Sequence, residues 1–277
     1  MTPGPLEWEW EKQSALDRGV QRMSDRSCTA GPETTAPTRK AAPTLRLFDG
    51  FRLEYDSTTV PVSVNGQRLL AFLALRGNAT RADSAGTLWP EVTETRASGS
   101  LRTTMWRLHR GGIRMVESRA NVLTLAAEVR VDVRTFIDAA SHIEQFTASD
   151  AAQVPVLDGG ELLPGWYDDW VLFERERLRQ IRLHALETLA EHLTERRRYA
   201  RALEAALQCV QLEPLRESAH RAVLTIHLAE HNVAEALRHY EFFRQLLYDE
   251  MGIEPSPQLQ QMLPEAPEAP LQRAHLR

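Results

Sequence analysis

The sequence predicts an α+β winged helix-turn-helix followed by an all-α helical repeat domain that is tetratricopeptide-like (TPR-like). In residues 45–64, apolar and polar residues alternate in short runs, which is typical of paired β-strands. Three short helical patterns and a hairpin pattern follow, up to residue 125. Beyond residue 132 the periodicity is almost entirely helical, and apolar residues return at a spacing of 34, which suggests a repeat. A chain of 277 residues is long enough for two such domains.

The strands of the first domain are predicted from alternation and from turn residues. Residues 45–55 alternate around a break at Asp49–Gly50, and a third strand is predicted over residues 60–64. A hairpin over residues 113–125, with its tip at Ser118–Arg119, has the position of a wing. A last alternating run, residues 129–133, is predicted to close the domain as a strand.

Three helices are predicted between these strands, over residues 67–76, 81–88 and 97–110. Gly77–Asn78 ends the first helix, and Thr80 can cap the second, which Pro90 ends. Gly111–Gly112 is a C-terminal signal for the third helix.

The third helix is the candidate DNA-reading element. At 100° per residue, Leu101, Met105 and Leu108 fall on one side, which predicts the face that packs in the core. The opposite side carries the candidate DNA contacts Gly99, Arg102, Thr103, Trp106, Arg107 and Arg110. Arginines there can contact phosphates or guanine edges in the major groove. Arg81, at the start of the second helix, and Arg119, at the hairpin tip, are expected to contact phosphates.

The same pattern also fits a solvated basic helix whose Trp106 is covered by the wing or by the second domain. The neighbouring elements favour DNA, because a helix followed by a β-wing presents its outer face to a duplex. The charge distribution points the same way. Residues 45–133 carry 12 arginines and 9 acidic residues (+3), whereas residues 134–277 carry 15 and 23 (−8). This asymmetry is typical of a basic binding module joined to an acidic one.

Composition favours a cytoplasmic protein without a membrane partner. The longest apolar run, residues 69–75, is far shorter than the roughly 20 residues that span a bilayer. The N-terminus lacks the pattern of a secretory signal. Cys28 and Cys209 have no disulfide or metal-ligand spacing, and the sequence contains no G-x-x-x-x-G-K-[ST] phosphate loop. We therefore expect no cofactor, no metal and no enzymatic activity.

The second half is predicted to form helical hairpins. A loop over residues 157–170 precedes a long helix over residues 171–196. Residues of a first unit have counterparts 34 positions later, with Ala190, Ala202 and Ala206 corresponding to Leu224, Ala236 and Tyr240. Two repeats are fewer than the three that a free-standing array needs, so flanking helices should complete the core.

Three other groups of residues suggest chemistry. His227 and His231 have the spacing of a metal pair on one helix face, but no third ligand accompanies them, which favours a surface pair. Asp168–Asp169 lies beside aromatic residues as in a glycosidase, yet adjacent side chains point in different directions. The arginine run at residues 196–198 fits a helix end, where the dipole stabilises cations. A hydrolase is therefore disfavoured.

Two sets of motifs carry a resemblance to a known family. Residues 45–133 resemble the OmpR-like DNA-binding domain of the bacterial antibiotic regulatory activators (SARP family), through LWP at 88–90, SGSLRT at 98–103, WRL at 106–108 and VDV at 131–133. Residues 134–264 resemble its bacterial transcriptional activator domain, through LPGWYDDW at 163–170, ERERL at 174–178 and MGIEPSP at 251–257. The resemblance implies binding to promoter direct repeats, self-association on DNA and recruitment of RNA polymerase, commonly for secondary-metabolite genes. Ser84 departs from the family, since an apolar residue is expected there.

The predicted organisation is a disordered leader over residues 1–43, a winged domain over 44–133, an activator domain over 134–264 and a tail over 265–277. Two functions remain open. The first is a transcriptional activator that binds double-stranded promoter DNA and RNA polymerase. The second is an interaction or ligand-sensing protein, whose repeats bind a peptide or small ligand and whose winged domain serves protein contacts. The arginines of the third helix favour the first.

Overall fold

The computed structural model describes residues 42–143, 157 and 159–264, which belong to the unit Ala41–Arg277. The strands are β1 (Thr44–Arg46), β2 (Arg52–Tyr55), β3 (Thr58–Thr59), β4 (Asn78–Thr80), β5 (Val116–Arg119), β6 (Val122–Leu125) and β7 (Arg130–Val131). The helices are α1 (Val64–Arg76), α2 (Arg81–Leu88), α3 (Glu94–Arg110), α4 (Asp132–Ser141), α5 (Asp169–Glu195), α6 (Tyr199–Leu212), α7 (Glu217–Ala229), α8 (Val233–Met251) and α9 (Pro257–Gln261). In these described ranges no helix is long and apolar enough to cross a membrane. The predicted leader, except residues 42 and 43, and the predicted tail lie outside them.

A sheet of four short strands, in the order β3-β2-β1-β7, opens the fold. β1 pairs antiparallel with β2 and parallel with β7, so that Leu45 lies opposite both Leu53 and Val131. All three side chains are buried, because paired positions share one face of a sheet. The strand predicted over residues 60–64 is wrong. The Ser63 hydroxyl accepts a hydrogen bond from the Gly66 N–H and starts α1 there instead.

Helices α1, α2 and α3 form the core of the winged half. α2 has the predicted bounds, because the Thr80 hydroxyl accepts a hydrogen bond from the Asp83 N–H at 3.0 Å and caps it. α3 begins earlier than predicted, at Glu94, after Thr93. Ser84 is fully buried, but its hydroxyl donates to the Thr80 carbonyl at 2.8 Å. The departure at Ser84 therefore leaves no unpaired polar group in this core.

The wing is the hairpin of β5 and β6, to which β4 adds a third strand. The predicted hairpin is present, but its turn lies one residue beyond the predicted tip, at Ala120, whose backbone is left-handed with a φ of 53°. Sequence patterns did not predict β4. Asn78 pairs with Thr124, far along the chain, directly after Gly77 ends α1 with a φ of 80°.

Asp132 joins the end of the wing to the first sheet. Its Oδ2 accepts hydrogen bonds from the backbone N–H groups of Leu47 and Phe48, at 2.8 and 3.1 Å. Its Oδ1 accepts one from the N–H of Val133 at 2.7 Å. Burial raises the pKa of this carboxyl, and the three N–H groups offset only part of the rise. Because α4 begins at Asp132, the strand predicted over residues 129–133 shortens to β7.

The helices α5 to α8 form two hairpins related by 34 residues, which confirms the predicted repeat. α5 ends at Glu195 and α7 at Ala229, 34 positions later, and the starts of α6 and α8 have the same spacing. Each hairpin turns through one residue with a left-handed backbone, Arg197 in the first and His231 in the second. α9 then packs Leu259 into the cluster between α7 and α8. The flanking helix thus contributes to the core, as expected for a short array.

The segment before α5 and the first turn of α5 pack on the winged half. The Phe51 and Trp166 rings stack with centroids 6.5 Å apart, and Phe72 meets Trp170 edge-on at 5.5 Å. Arg68 on α1 also forms an ion pair with Asp168. The two halves therefore share one hydrophobic core. The predicted domain boundary between residues 133 and 134 falls within α4, and the division into domains stays a prediction.

Candidate nucleic-acid interface

α3 turns one face to the core and one to solvent. Leu101, Thr104 and Met105 are buried, and the exposed side carries Arg102, Thr103, Trp106, Arg107 and Arg110. The inward positions of Leu101 and Met105 agree with the predicted core face. Seventeen residues make a helix of about 25 Å, which is long enough to lie along a major groove about 12 Å wide.

The exposed arginines of α3 carry uncompensated charge. Within the described part of the chain, Arg102, Arg107 and Arg110 form no ion pair with a carboxylate. The basic face of α3, which we define as Arg102, Trp106, Arg107 and Arg110, is therefore an exposed positive surface with one aromatic ring. Such a surface attracts phosphates and presents donors to guanine.

Trp106 is an exposed aromatic residue at the centre of this face. Its side chain is 57% exposed, so neither the wing nor the helical half, as far as they are described, covers it. The guanidinium carbon of Arg110 lies 4.7 Å from its ring centroid, which is cation–π geometry. Within the described residues, the interpretation in which the wing or the second domain covers Trp106 is therefore wrong. Arg110 and the indole form one unit on the surface.

Gly99 and Thr103 lie one turn apart on the same helix. A Cβ at Gly99 would meet only the Arg102 Nη2 at 3.9 Å, so packing does not require glycine here. The Thr103 hydroxyl donates to the Gly99 carbonyl at 3.0 Å. Because its proton is engaged, Thr103 offers an external partner an acceptor oxygen and a methyl group.

The two arginines predicted outside α3 have different surroundings. Arg81 is half-buried, and its guanidinium donates to the Ser118 hydroxyl at 3.0 Å and lies 3.4 Å from the Met105 sulfur. It therefore braces the wing against α3, a role that its sequence position did not indicate. Arg119 on the wing has a side chain that is 89% exposed and lies 3.4 Å from Glu117.

Two exposed arginines extend this surface and were not predicted as contacts. Arg96 lies in the first turn of α3, and Arg114 lies between α3 and the wing. Neither forms an ion pair in the described ranges. In the sequence, only their closeness to the predicted DNA-reading helix could have indicated Arg96 and Arg114 as contacts. None of the predicted contacts is tested by the structure alone, and their DNA-binding role stays a prediction.

The histidine pair of the second repeat does not share a helix face. His227 lies in the last turn of α7, whereas His231 lies beyond its end with a left-handed backbone. The expected i, i+4 arrangement on one helix is therefore wrong. Across the residues that the structure describes, no group of three or more His, Cys, Asp or Glu side chains could hold a metal ion.

Comparison with known proteins gives a family match and curated relatives. Residues 131–265 match the family described as bacterial transcriptional activator domain. The regulatory protein AfsR of Streptomyces coelicolor is 30% identical over 221 residues, which cover 75% of this chain and 22% of AfsR. AfsR of Streptomyces griseus is 28% identical over 209 residues, covering 70% of this chain and 21% of that protein. The chain thus spans about a fifth of the length of these relatives.

A solved structure shares the fold. Mycobacterium tuberculosis EmbR, in complex with a low-affinity phosphopeptide, superimposes with a TM-score of 0.65 at 18% identity. The match covers 80% of this chain and 64% of that one. It confirms the predicted class, a winged helix-turn-helix followed by a helical repeat domain.

Residues 131–265 therefore match a bacterial transcriptional activator domain, and they follow a half that has the winged helix-turn-helix fold. The matched domain and the curated relatives make the chain similar to transcriptional activators of the SARP type, as its motifs predicted. The matched curated relatives are regulatory proteins rather than enzymes.

Proposed function

We propose that the chain is a transcriptional activator that binds promoter DNA by placing α3 in the major groove and the wing on the phosphate backbone. The observation that carries the proposal is the basic face of α3, where three guanidinium groups have no carboxylate partner in the described ranges. Arg102, Arg107 and Arg110 contact phosphates or base edges, and Trp106 packs on sugar or base edges. Gly99 leaves room for the backbone to approach, and Thr103 offers its acceptor oxygen.

The wing supplies the flanking contacts. Arg119 reaches a phosphate from the hairpin, while Arg81 holds the wing in position through Ser118 and contacts a phosphate with its exposed part. In this proposal residues 44–133 form the DNA-binding domain, and residues 134–264 recruit RNA polymerase. Copies associate side by side on direct repeats, in the cytoplasm where promoter DNA lies. The match of residues 131–265 to an activator domain supports assigning polymerase recruitment to the helical half.

A mobility-shift assay with the region upstream of the neighbouring genes tests DNA binding. The variant Arg102→Ala/Arg107→Ala should bind at least about tenfold more weakly, because each arginine–base contact contributes about 1–3 kcal/mol. The matched control is Arg198→Ala/Arg201→Ala, which removes the same charge from exposed residues between α5 and α6 and on α6. It should bind as the wild type does. Equal binding by both variants and the wild type, or no binding at any salt concentration, contradicts the proposal.

The rival function is a protein-interaction or ligand-sensing role in which the winged domain contacts protein. The phosphopeptide in the structure of EmbR, which shares the fold, favours this rival. It predicts that the folded chain shows no salt-dependent affinity for any upstream DNA. The same assay, run over a range of salt concentrations, therefore separates the two functions.

A further inference from the structure

A groove of about 600 Å³ runs between α5 and α7, the first helices of the two repeats. Its floor consists of small side chains, namely Ala190, Thr194, Ser218, Ala222, Thr225 and Ala229. The Thr194 hydroxyl donates to the Ala190 carbonyl at 2.6 Å, and the Thr225 hydroxyl donates to the Arg221 carbonyl at 2.9 Å. Because these protons are engaged, the floor offers mainly methyl groups. Small side chains also allow another backbone to approach closely.

Three carboxylates line the α5 side of the groove. Glu187 is engaged internally, since it accepts hydrogen bonds from Arg216, at 2.8 Å, and from Ser218. Burial opposes its ionisation, but these bonds outweigh burial and lower its pKa. Glu191 and Glu195 are exposed, and neither has an ion-pair partner in the described part of the chain.

The remaining charge in the groove is therefore negative. Arg221 is the one cation among the residues that line it, and Arg221 already lies 3.7 Å from Glu217. Glu191 and Glu195 are one helical turn apart, so their carboxylates occupy adjacent positions along the same edge. A ligand that complements this groove carries two cations spaced like Glu191 and Glu195, and an apolar strip that packs on the small side chains of the floor.

We propose that the groove binds a basic amphipathic helix of a partner protein. Lysines or arginines four residues apart pair with Glu191 and Glu195, and the apolar face of the helix rests on Ala190 and Ala222. Helix-in-groove recognition is a common mode for such surfaces. Nucleic acids and phosphorylated peptides are disfavoured, because their phosphates would meet unpaired carboxylates. The proposal goes beyond DNA binding and involves no residue of the basic face of α3.

The full chain is tested with a fluorescent, alanine-rich peptide of about four helical turns that carries arginine at every fourth position. A second peptide has the same composition, with its arginines distributed around the helix. The wild type should bind the first about three- to tenfold more tightly, because only the first can form both ion pairs at once and each exposed pair contributes modestly. Glu191→Gln/Glu195→Gln should weaken binding of the first peptide about three- to tenfold.

The matched control is Glu204→Gln/Glu250→Gln, which removes two exposed carboxylates from α6 and α8. It should bind the first peptide as the wild type does. Ala222→Leu, which fills the floor without changing charge, should also weaken binding. Circular dichroism and DNA binding confirm that each variant is folded, and a chain that fails to bind DNA can still bind the peptide.

Three results overturn the proposal. The first is equal affinity for the two peptides, or an affinity that Glu191→Gln/Glu195→Gln leaves unchanged. The second is tighter peptide binding after deletion of residues 265–277, which include Arg273 and Arg277 four residues apart. The groove would then belong to the chain's own segment. The third is peptide affinity that falls as protein concentration rises, which would assign the groove to a second copy.

Discussion

The His220–His239 pair predicts that the helical half loses stability between pH 7.5 and pH 5. His220 on α7 is fully buried, and its Nε2 donates to the Pro214 carbonyl at 2.8 Å. Its Nδ1 lies 3.0 Å from the Nε2 of His239 on α8, and its ring stacks on Phe243 at 3.9 Å. These two hydrogen bonds place the proton of each ring on Nε2: His220 donates to Pro214, and His239 donates to the His220 Nδ1. Both imidazoles are then neutral. A proton on the His220 Nδ1 would break this arrangement.

Burial lowers the pKa of both imidazoles, and the neighbouring His220 and His227 help to lower that of His239 to about 4. In the unfolded chain a histidine titrates near pH 6.5, to within about a unit. The folded pKa is therefore depressed, so the unfolded state binds protons first as the pH falls. The stabilisation that the two neutral histidines give the folded state is therefore fully present above pH 6.5 and is lost as the pH falls towards 4. At pH 5, His239 alone accounts for at most about 2 kcal/mol, since its side chain is partly exposed.

Urea unfolding followed by circular dichroism at pH 7.5 and pH 5.0 measures this loss. In that window few carboxylates titrate, so histidines dominate the change. His239→Gln, whose amide can still donate to His220, should reduce the pH-dependent loss by up to about 2 kcal/mol. His231→Gln, at an exposed turn, should leave it unchanged. A wild type with equal stability at both pH values, or a His239→Gln variant with the full loss, would refute the assignment.

Three further substitutions test separate parts of the structure. Trp106→Ala should weaken promoter binding about three- to tenfold in a mobility shift and leave thermal unfolding unchanged, because the ring is exposed and, in the described ranges, stacks on Arg110 alone. A drop in melting temperature would show that the ring is structural. Arg68→Ala should lower the free energy of unfolding by about 1–3 kcal/mol, because half-buried Asp168 loses its charged partner. A double-mutant cycle with Asp168→Ala that gives additive effects would exclude this coupling. Thr80→Ala should cost about 1 kcal/mol in chemical denaturation through loss of the α2 cap, and Thr80→Ser should recover most of it. Equal stabilities of those two variants would contradict the capping role.

Local signals made much of the fold predictable. α2 has its predicted bounds because Thr80, its cap, and Pro90, beyond its end, act within a few residues. The repeat was predictable because apolar residues recur at a spacing of 34 in the sequence. The turns at Arg197 and His231 have the same spacing. The match to an activator domain was predictable from the motifs at residues 163–170, 174–178 and 251–257. Each of these features depends on neighbouring residues or on a fixed period.

Contacts between distant segments were not predictable in the same way. β4 exists because Asn78 meets Thr124 across the wing, and no local pattern encodes that pairing. The ion pair of Arg68 and Asp168 joins residues that are a hundred positions apart. The same holds at the candidate interface. Helical periodicity predicted which side chains of α3 face outward, but the bracing of the wing by Arg81 depends on tertiary packing.

The salt dependence of promoter binding tests the central claim most directly. Each phosphate contact contributes about −0.9 to the slope of log affinity against log salt concentration. If Arg102 and Arg107 both neutralise phosphates, the slope of Arg102→Ala/Arg107→Ala should be shallower than that of the wild type by up to about 1.8. Arg198→Ala/Arg201→Ala should keep the wild-type slope. A steep wild-type slope that flattens only in the α3 variant is the predicted result. A flat wild-type slope would contradict DNA binding through the basic face of α3. An equal slope in all three proteins would contradict phosphate contacts by Arg102 and Arg107.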